Sequence, residues 1–145
     1  MKYSIVMALS LIGPPLANAR TAQETCPILP PDSGIAWSYR EGPDFDLCYA
    51  LDRKTKDTLF GIYLGHAPSF HPENAKRLSD GRVADRRTIW YAYEKDASEF
   101  ARQALVALDS EHGFVAHIWV RAHSSADLQR TLTVLENMRF KTNAL

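Results

Sequence analysis

The spacing of apolar and polar residues predicts three consecutive β-strands in the first half of the chain. Residues 35–39 and 45–51 alternate apolar side chains with polar or small ones, which is the two-residue period of a half-buried strand. Residues 59–64 are a third apolar run, in which Gly61 indicates a bulge or a close contact. The charged residues 53–57 predict a turn between the second and third strands.

The pattern is less regular in the second half. Residues 65–81 contain prolines and other turn formers, and they predict a long connection with a short helical turn near 72–78. Residues 82–94 predict a long strand or a pair of strands in a hairpin. Residues 98–109 follow a helical period and predict a helix. Its apolar face would carry Ala97, Ala101, Ala104, Leu105 and Leu108.

The last two elements are clearer. Residues 114–120 are apolar on both faces, so they predict a central strand. Ser124 or Ser125 can cap a final helix. The apolar stripe of this helix is Leu128, Leu132, Leu135 and Met138.

This order of elements predicts an α+β fold, in which two main helices pack on a mostly antiparallel sheet. The chain has 145 residues, of which 46% are hydrophobic and 23% are charged. These values are typical of a globular domain, and they exclude disordered and low-complexity chains. We expect residues 20–145 to form a single domain, with an irregular lead-in over residues 20–34.

The first nineteen residues have the three parts of a secretory signal peptide. Lys2 supplies a positive charge, residues 5–12 are apolar, and Ala17-Asn18-Ala19 is a small-x-small cleavage site. Prolines at 14–15 end the apolar run well short of the roughly 20 residues that a membrane-spanning helix needs. We therefore expect cleavage after Ala19 and a mature protein that is periplasmic or secreted, without a transmembrane span.

Cys26 and Cys48 are the only cysteines, and both lie in the part predicted to be exported. In an oxidising compartment, two cysteines favour one intrachain disulfide. Such a bond would attach the proline-rich lead-in to a strand. The alternative is a redox pair, which usually has closely spaced cysteines.

Charge and motifs narrow the function classes. Lys and Arg total 17, as do Asp and Glu, so the formal net charge is zero. This balance argues against a general nucleic-acid binder, which needs an excess of positive charge. The sequence has no glycine-rich phosphate loop, dinucleotide fingerprint or G-x-S-x-G elbow, so we expect no cofactor and no catalytic residues.

Trp37 in the first strand, the consecutive antiparallel strands and the closing segment 134–140 (VLENMRF) resemble the PsbP-like and DcrB-like group of exported domains. In that group, a closing helix of this kind completes an α/β/α sandwich. The resemblance implies a small accessory protein that associates with an envelope complex and has no shared catalytic site. The group's disulfide arrangement and ligand residues do not map onto this chain, so no functional residue is carried over.

Histidines are the main candidates for metal chemistry. His66 and His71 lie with Glu73 in the long connection, and imidazole and carboxylate groups can bind zinc. Their spacing matches no compact motif such as H-E-x-x-H, so exposed loop residues are the favoured interpretation. His117 alternates with Trp119 on the predicted central strand, where we expect a packed, hydrogen-bonded side chain.

Arg82, Arg86 and Arg87 form a basic cluster. On one continuous strand, Arg82 and Arg86 would share a face and Arg87 would lie on the other. The cluster could bind a carboxylate, an acidic glycan or a protein, because arginine pairs well with planar anions; a solubilising strand end is the alternative. With the long connection, it forms a candidate binding surface of His66, Ser69, Phe70, His71, Arg82, Arg86, Arg87 and Trp90.

Two functions from different classes follow from these observations. The favoured one is a non-catalytic exported accessory or binding protein that contacts a protein partner in the cell envelope. The alternative is a small metal-binding hydrolase that uses His66, His71 and a carboxylate of the 65–81 connection. A domain that holds a small ligand between sheet and helix is a third possibility.

Overall fold

A computed structural model describes residue 13 and residues 19–141. The predicted signal peptide therefore lies outside the described residues, apart from Gly13 and Ala19. The strands are β1 (Ile35–Glu41), β2 (Phe45–Asp52), β3 (Thr58–Gly65), β4 (Arg77–Val83), β5 (Arg86–Ala92), β6 (Arg102–Asp109) and β7 (Phe114–Val120). The helices are α1 (Ala22–Thr25) and α2 (Ser125–Asn137), with a 3-10 turn at Pro72–Asn74.

The seven strands form one antiparallel sheet in the order β1-β2-β3-β7-β6-β5-β4. Strand β7 lies in the middle, as its two apolar faces predicted, and Ile118 at its centre is directly opposite Ile62 of β3. The predicted strands at 35–39, 45–51 and 59–64 are confirmed as β1, β2 and β3.

Residues 98–109 do not form the predicted helix. They contain β6, in which Ala104 pairs with Ile118 and Val106 pairs with Ala116 of β7. Alanine and leucine favour helices locally, but pairing with a central strand outweighs that weak preference. The α+β prediction is thus confirmed in its coarse form, with far more sheet than helix. The prediction of two main helices is wrong, because α1 has only 4 residues.

Two boundaries also differ from the prediction. The connection after β3 ends at residue 76 rather than 81, because β4 begins at Arg77. The 3-10 turn at 72–74 takes the place of the predicted helical turn. Of the two alternatives predicted for residues 82–94, the hairpin is confirmed, because a turn at Ala84-Asp85 separates β4 from β5.

The hydrophobic core lies between one face of the sheet and α2. This inner face carries the fully or almost fully buried residues Phe60, Ile62, Leu64, Ala116, Ile118 and Val120. Helix α2 begins after Ser124, whose hydroxyl accepts a hydrogen bond from the Asp127 amide (3.1 Å). Leu135 and Met138 of the predicted stripe are buried, and Val134 and Thr131 are buried beside them. The stripe therefore covers the inner face.

The lead-in packs against the same layer. The predicted Cys26–Cys48 disulfide is present and joins the lead-in to β2. Trp37 Nε1 donates a hydrogen bond to the carbonyl of Pro27 (2.9 Å). Ile28 and Arg139 exchange two backbone hydrogen bonds (2.8 and 3.0 Å). The lead-in is thus connected both to the sheet and to the segment after α2.

Asp52 connects the turn after β2 to α2. One carboxylate oxygen accepts hydrogen bonds from the amides of Lys54 (2.8 Å) and Thr55 (3.1 Å), which confirms the predicted turn over 53–57. The other oxygen accepts from Arg130 Nη1 of α2 (2.8 Å). The Arg130 hydrogen bond, helped by the two amides, lowers the pKa of Asp52 to about 2.

We expect the disulfide to contribute roughly 3 kcal/mol to the free energy of unfolding, mainly by restricting the unfolded chain. Replacing Cys26 and Cys48 with alanine in the mature protein should lower that free energy by this amount in urea unfolding at pH 7. Adding a reductant should destabilise the wild type by a similar amount and leave the variant unchanged. Two free thiols in a titration of the native wild type would contradict the assignment.

Asp52 should make stability depend on pH in acid. Because folding lowers its pKa from about 4 to about 2, the carboxylate stabilises the fold above pH 4 and loses this effect as the pH falls from 4 to 2. In Asp52→Asn, the free energy of unfolding should be lower at pH 7 and should change less between pH 4 and pH 2. Asp44→Asn, which changes an exposed carboxylate near the start of β2, is the control and should keep the wild-type profile. Equal profiles for wild type and Asp52→Asn would refute this role.

Candidate functional site

The β4–β5 hairpin is attached to different elements at its two ends. At its open end, β5 pairs with β6 through Tyr91–Gln103 and one neighbouring pair. At its tip, the Ala84 amide donates a hydrogen bond to the Leu135 carbonyl of α2 (2.8 Å), and Val83 beside it is fully buried. The tip therefore lies against the helix, while β6 continues along β7.

A cleft of about 1080 Å³ separates β5 from β6 beyond their two paired positions. Within the described chain, residues 86–90 pair with β4 but not with β6. The opposite side of the cleft is the edge of β6, whose other edge is paired with β7. The Ala107 carbonyl points into this gap, since it accepts a hydrogen bond from Arg86 Nη1. Two strand edges thus face each other without a continuous backbone ladder.

Arginines surround the mouth of this cleft. Arg82 and Arg87 are directly opposite each other on β4 and β5, so they share the face of the sheet that points away from α2, called here the outer face. Arg86 lies on the inner face. This corrects the expectation that Arg82 and Arg86 share a face, which treated the hairpin as one continuous strand.

The charges at this mouth are poorly balanced. Like charges directly opposite each other in a sheet are destabilising. Arg82 donates a hydrogen bond to the Asp85 carbonyl (3.2 Å), and Arg87 has no ion pair among residues 19–141. The one carboxylate among the described lining residues, Asp80, is paired with Arg77 (2.6 Å), and Asp85 lies 3.9 Å from Arg86. The Arg82–Arg87 pair is therefore suited to an anionic group.

Trp90 is not part of the exposed binding surface predicted for it. It is only 2% exposed and lies on the inner face of the hairpin, where its indole ring covers Gly81. A side chain on Gly81 would overlap that ring. In sequence, Trp90 lies close to the arginines and next to Tyr91. Because successive side chains of a strand point to opposite faces, Trp90 points to the inner face and Tyr91 to the outer face.

The connection between β3 and β4 is anchored by Phe70. This side chain is 7% exposed, stacks on His117 with ring centres 5.2 Å apart, and meets Tyr91 edge-on at 5.5 Å. Ser69 and His71 beside it line a second cavity of about 340 Å³. Of the predicted surface residues in this connection, Phe70 is therefore a packing residue.

His117 is packed and hydrogen-bonded, as predicted. Gln103 Nε2 donates to the Ala92 carbonyl (2.9 Å), so Gln103 Oε1 is left to accept a hydrogen bond from Nε2 of His117 (3.1 Å). Burial, with a smaller contribution from the positive charge of Lys95, lowers the pKa of His117 to about 4. Its imidazole is therefore neutral at physiological pH.

Gly61 marks a close contact, which was one of its two predicted roles. The Trp119 ring lies directly over it on the outer face, in the space that a Cβ atom would occupy. Tyr49 meets the same indole edge-on, with ring centres 6.0 Å apart. The outer face thus carries aromatic side chains where the inner face carries α2.

The metal candidates do not converge on one centre. The His66 Nδ1 atom is 3.0 Å from the His112 carbonyl, to which it donates a hydrogen bond. His71 lies 4.0 Å from Glu73, and both side chains are about two-thirds exposed. Within the part of the chain that the structure describes, no group of three or more His, Cys, Asp or Glu side chains could hold a metal ion.

Sequence reasoning missed the cleft itself. Its arginines were identified, but its apolar lining by Ile89, Tyr91 and Leu105 was not. A hairpin was one of the two alternatives predicted for residues 82–94, but Ala84-Asp85 is not a typical turn pair, so the position of the turn was not indicated. No local signal indicated that Leu105 faces β5, because residues 98–109 have a helical period.

No protein-family model, curated protein or solved structure matches the chain significantly. Among the described residues, no helix is both long enough and apolar enough to cross a membrane.

His117 should make the free energy of unfolding depend on pH between about 4 and 6.5, which is above the range in which Asp52 acts. Between pH 6.5 and pH 4, the unfolded imidazole binds a proton that the native one excludes, so the free energy of unfolding should fall as the pH is lowered. His117→Asn cannot titrate, and its urea unfolding should vary less over this range. His123→Asn, which changes an exposed histidine, should behave as wild type. An undiminished pH dependence in His117→Asn would contradict this explanation.

Proposed function

We propose that this protein is a non-catalytic accessory or binding protein of the periplasm, which contacts a protein partner through the cleft between β5 and β6. The proposal depends on the cleft, where two strand edges face each other unpaired and arginines lie at the mouth. The resemblance to PsbP-like and DcrB-like domains remains a prediction and implies the same kind of role.

The lining of the cleft supports a protein ligand. Ile89, Tyr91 and Leu105 provide an apolar floor, and Arg82 and Arg87 provide positive charge on the same face. Protein interfaces commonly combine an apolar centre with arginine and aromatic contacts. A carboxylate from the partner would reduce the repulsion between the two arginines and form charge-assisted hydrogen bonds.

The Cys26–Cys48 bond supports the proposed location. Disulfides form and persist in oxidising compartments such as the bacterial periplasm, and are rare in the cytosol. The signal-peptide pattern of residues 1–19 points the same way, because it is an address for export.

The contacts of the histidines support a role in packing rather than in catalysis. His117 is held neutral by burial and engaged by Gln103. His66 donates to a backbone carbonyl and packs against Phe114, with ring centres 5.1 Å apart. These separate contacts favour the binding role over the hydrolase hypothesis that joins His66 to His71.

We expect the double variant Arg82→Glu/Arg87→Glu to lose its partner. The experiment captures proteins from the envelope fraction of the producing cells with tagged mature protein, and then measures the affinity for the recovered partner. Reversal of two interface charges should weaken binding by about tenfold or more, because it replaces attraction with repulsion.

Arg40→Glu is the matched control. Arg40 is an exposed arginine on β1, at the opposite edge of the sheet from β4, so its reversal changes the net charge equally per site. It should retain the partner. Urea unfolding must show that all variants are folded. Equal capture by the wild type and the double variant would refute the assignment of this cleft as the contact surface.

A further inference from the structure

We infer that the partner enters the cleft as an extended, acidic segment and adds a strand between β5 and β6. This inference rests on the proposed function and specifies how that cleft recognises its partner. In this mode of binding, the partner segment occupies the gap where β5 diverges from β6.

Backbone N–H and C=O groups on both sides of the cleft point into it. In an antiparallel strand, the N–H and C=O groups of alternate residues point to the same side. Because the Ala107 carbonyl points into the cleft, the backbone groups of Leu105 do so as well. On β5, Arg87 and Ile89 share the alternation of Tyr91, which pairs with β6. These four residues present a row of donors and acceptors on each side.

One inserted strand would pair with both rows. A guest that pairs with both rows lies about 4.8 Å from each of them. It therefore needs two neighbouring strands whose facing edges are both open. Peptides commonly bind by adding a strand to an exposed sheet edge, with main-chain hydrogen bonds supplying affinity. Here the guest would gain such bonds on two sides instead of one, and the backbone ladder between β5 and β6 would extend through the guest beyond their two paired positions.

Arg86 occupies the mouth of the cleft in the free protein. Its guanidinium takes the Ala107 carbonyl that a guest amide would use, and charged side chains are a common protection for open strand edges. Arg86 has a long, exposed side chain, so it can turn away when a strand enters. It would then exchange its 3.9 Å contact with the exposed Asp85 carboxylate for an acidic side chain of the guest on the inner face.

The arginines also predict the pattern of the guest. Successive side chains of an inserted strand point to opposite faces. One acidic residue would meet Arg82 and Arg87 on the outer face, and its neighbour would meet Arg86 on the inner face. Deeper in the cleft, the guest would lie between Ile89 and Leu105. We therefore expect two adjacent acidic residues at the mouth and β-branched residues beyond them.

The test uses a blocked eight-residue peptide with two adjacent glutamates followed by alternating valine and threonine. Amide hydrogen exchange of the ¹⁵N-labelled mature protein is followed by NMR with and without this peptide. The amides of Arg87, Ile89, Leu105 and Ala107 should exchange at least tenfold more slowly with the peptide, while those of β1 should not change.

Three comparisons separate strand insertion from other contacts. The same peptide with alternate backbone amides methylated should bind at least tenfold more weakly, because it lacks donors. A peptide with lysines in place of the glutamates should bind more weakly as well. Arg87→Glu should weaken binding of the glutamate peptide, and Arg40→Glu should not.

Each contrary result has a defined meaning. Equal binding of the methylated peptide overturns strand insertion, and equal binding of the lysine peptide overturns the acidic specificity. Absence of protection at millimolar peptide overturns the inference as a whole. So does protection of the cleft amides in the free protein together with a concentration-dependent doubling of mass, since a second copy would then fill the cleft. Capture of the partner by the Arg82→Glu/Arg87→Glu variant tests the proposed function separately from these outcomes.

Discussion

The attachment of the β4–β5 tip to α2 is the interaction on which the candidate site depends. The Ala84–Leu135 hydrogen bond and the buried Val83 hold the tip against the inner layer, while Tyr91 remains paired with Gln103 at the other end. A hairpin attached at these two places cannot follow β6 along its full length. The cleft is therefore a consequence of how the core is packed.

The inner and outer faces of the sheet contribute differently to the protein. The inner face is covered by the lead-in, which the Cys26–Cys48 bond joins to β2, and by α2, which the Asp52–Arg130 ion pair joins to β2. Among the described residues, the outer face is covered in part by Phe70, which stacks on His117. Stability thus resides mainly on one side, and the other side retains accessible arginines and aromatic residues for contact.

Local patterns predicted most of the fold but little of the site. Strands β1, β2, β3 and β7 follow from their alternation, and α2 follows from its apolar stripe and its serine cap. The helix expected over residues 98–109 was wrong, because the pairing of β6 with the central strand β7 outweighs the helical preference of its alanines and leucines. Trp90 was misplaced for a related reason: its neighbours in sequence lie on the outer face, whereas its ring lies on the inner one.

The sequence by itself determined the features that depend on composition and short-range period: the candidate signal peptide, the single cysteine pairing, the apolar stripe of α2 and the presence of an arginine cluster. Only the tertiary structure decided that Arg82 and Arg87 are opposite each other, that Leu105 lines a cleft and that His117 is a neutral packing residue. These properties depend on which strands become neighbours. That choice is made by burial and hydrogen bonding across the whole sheet, which no local window of residues contains.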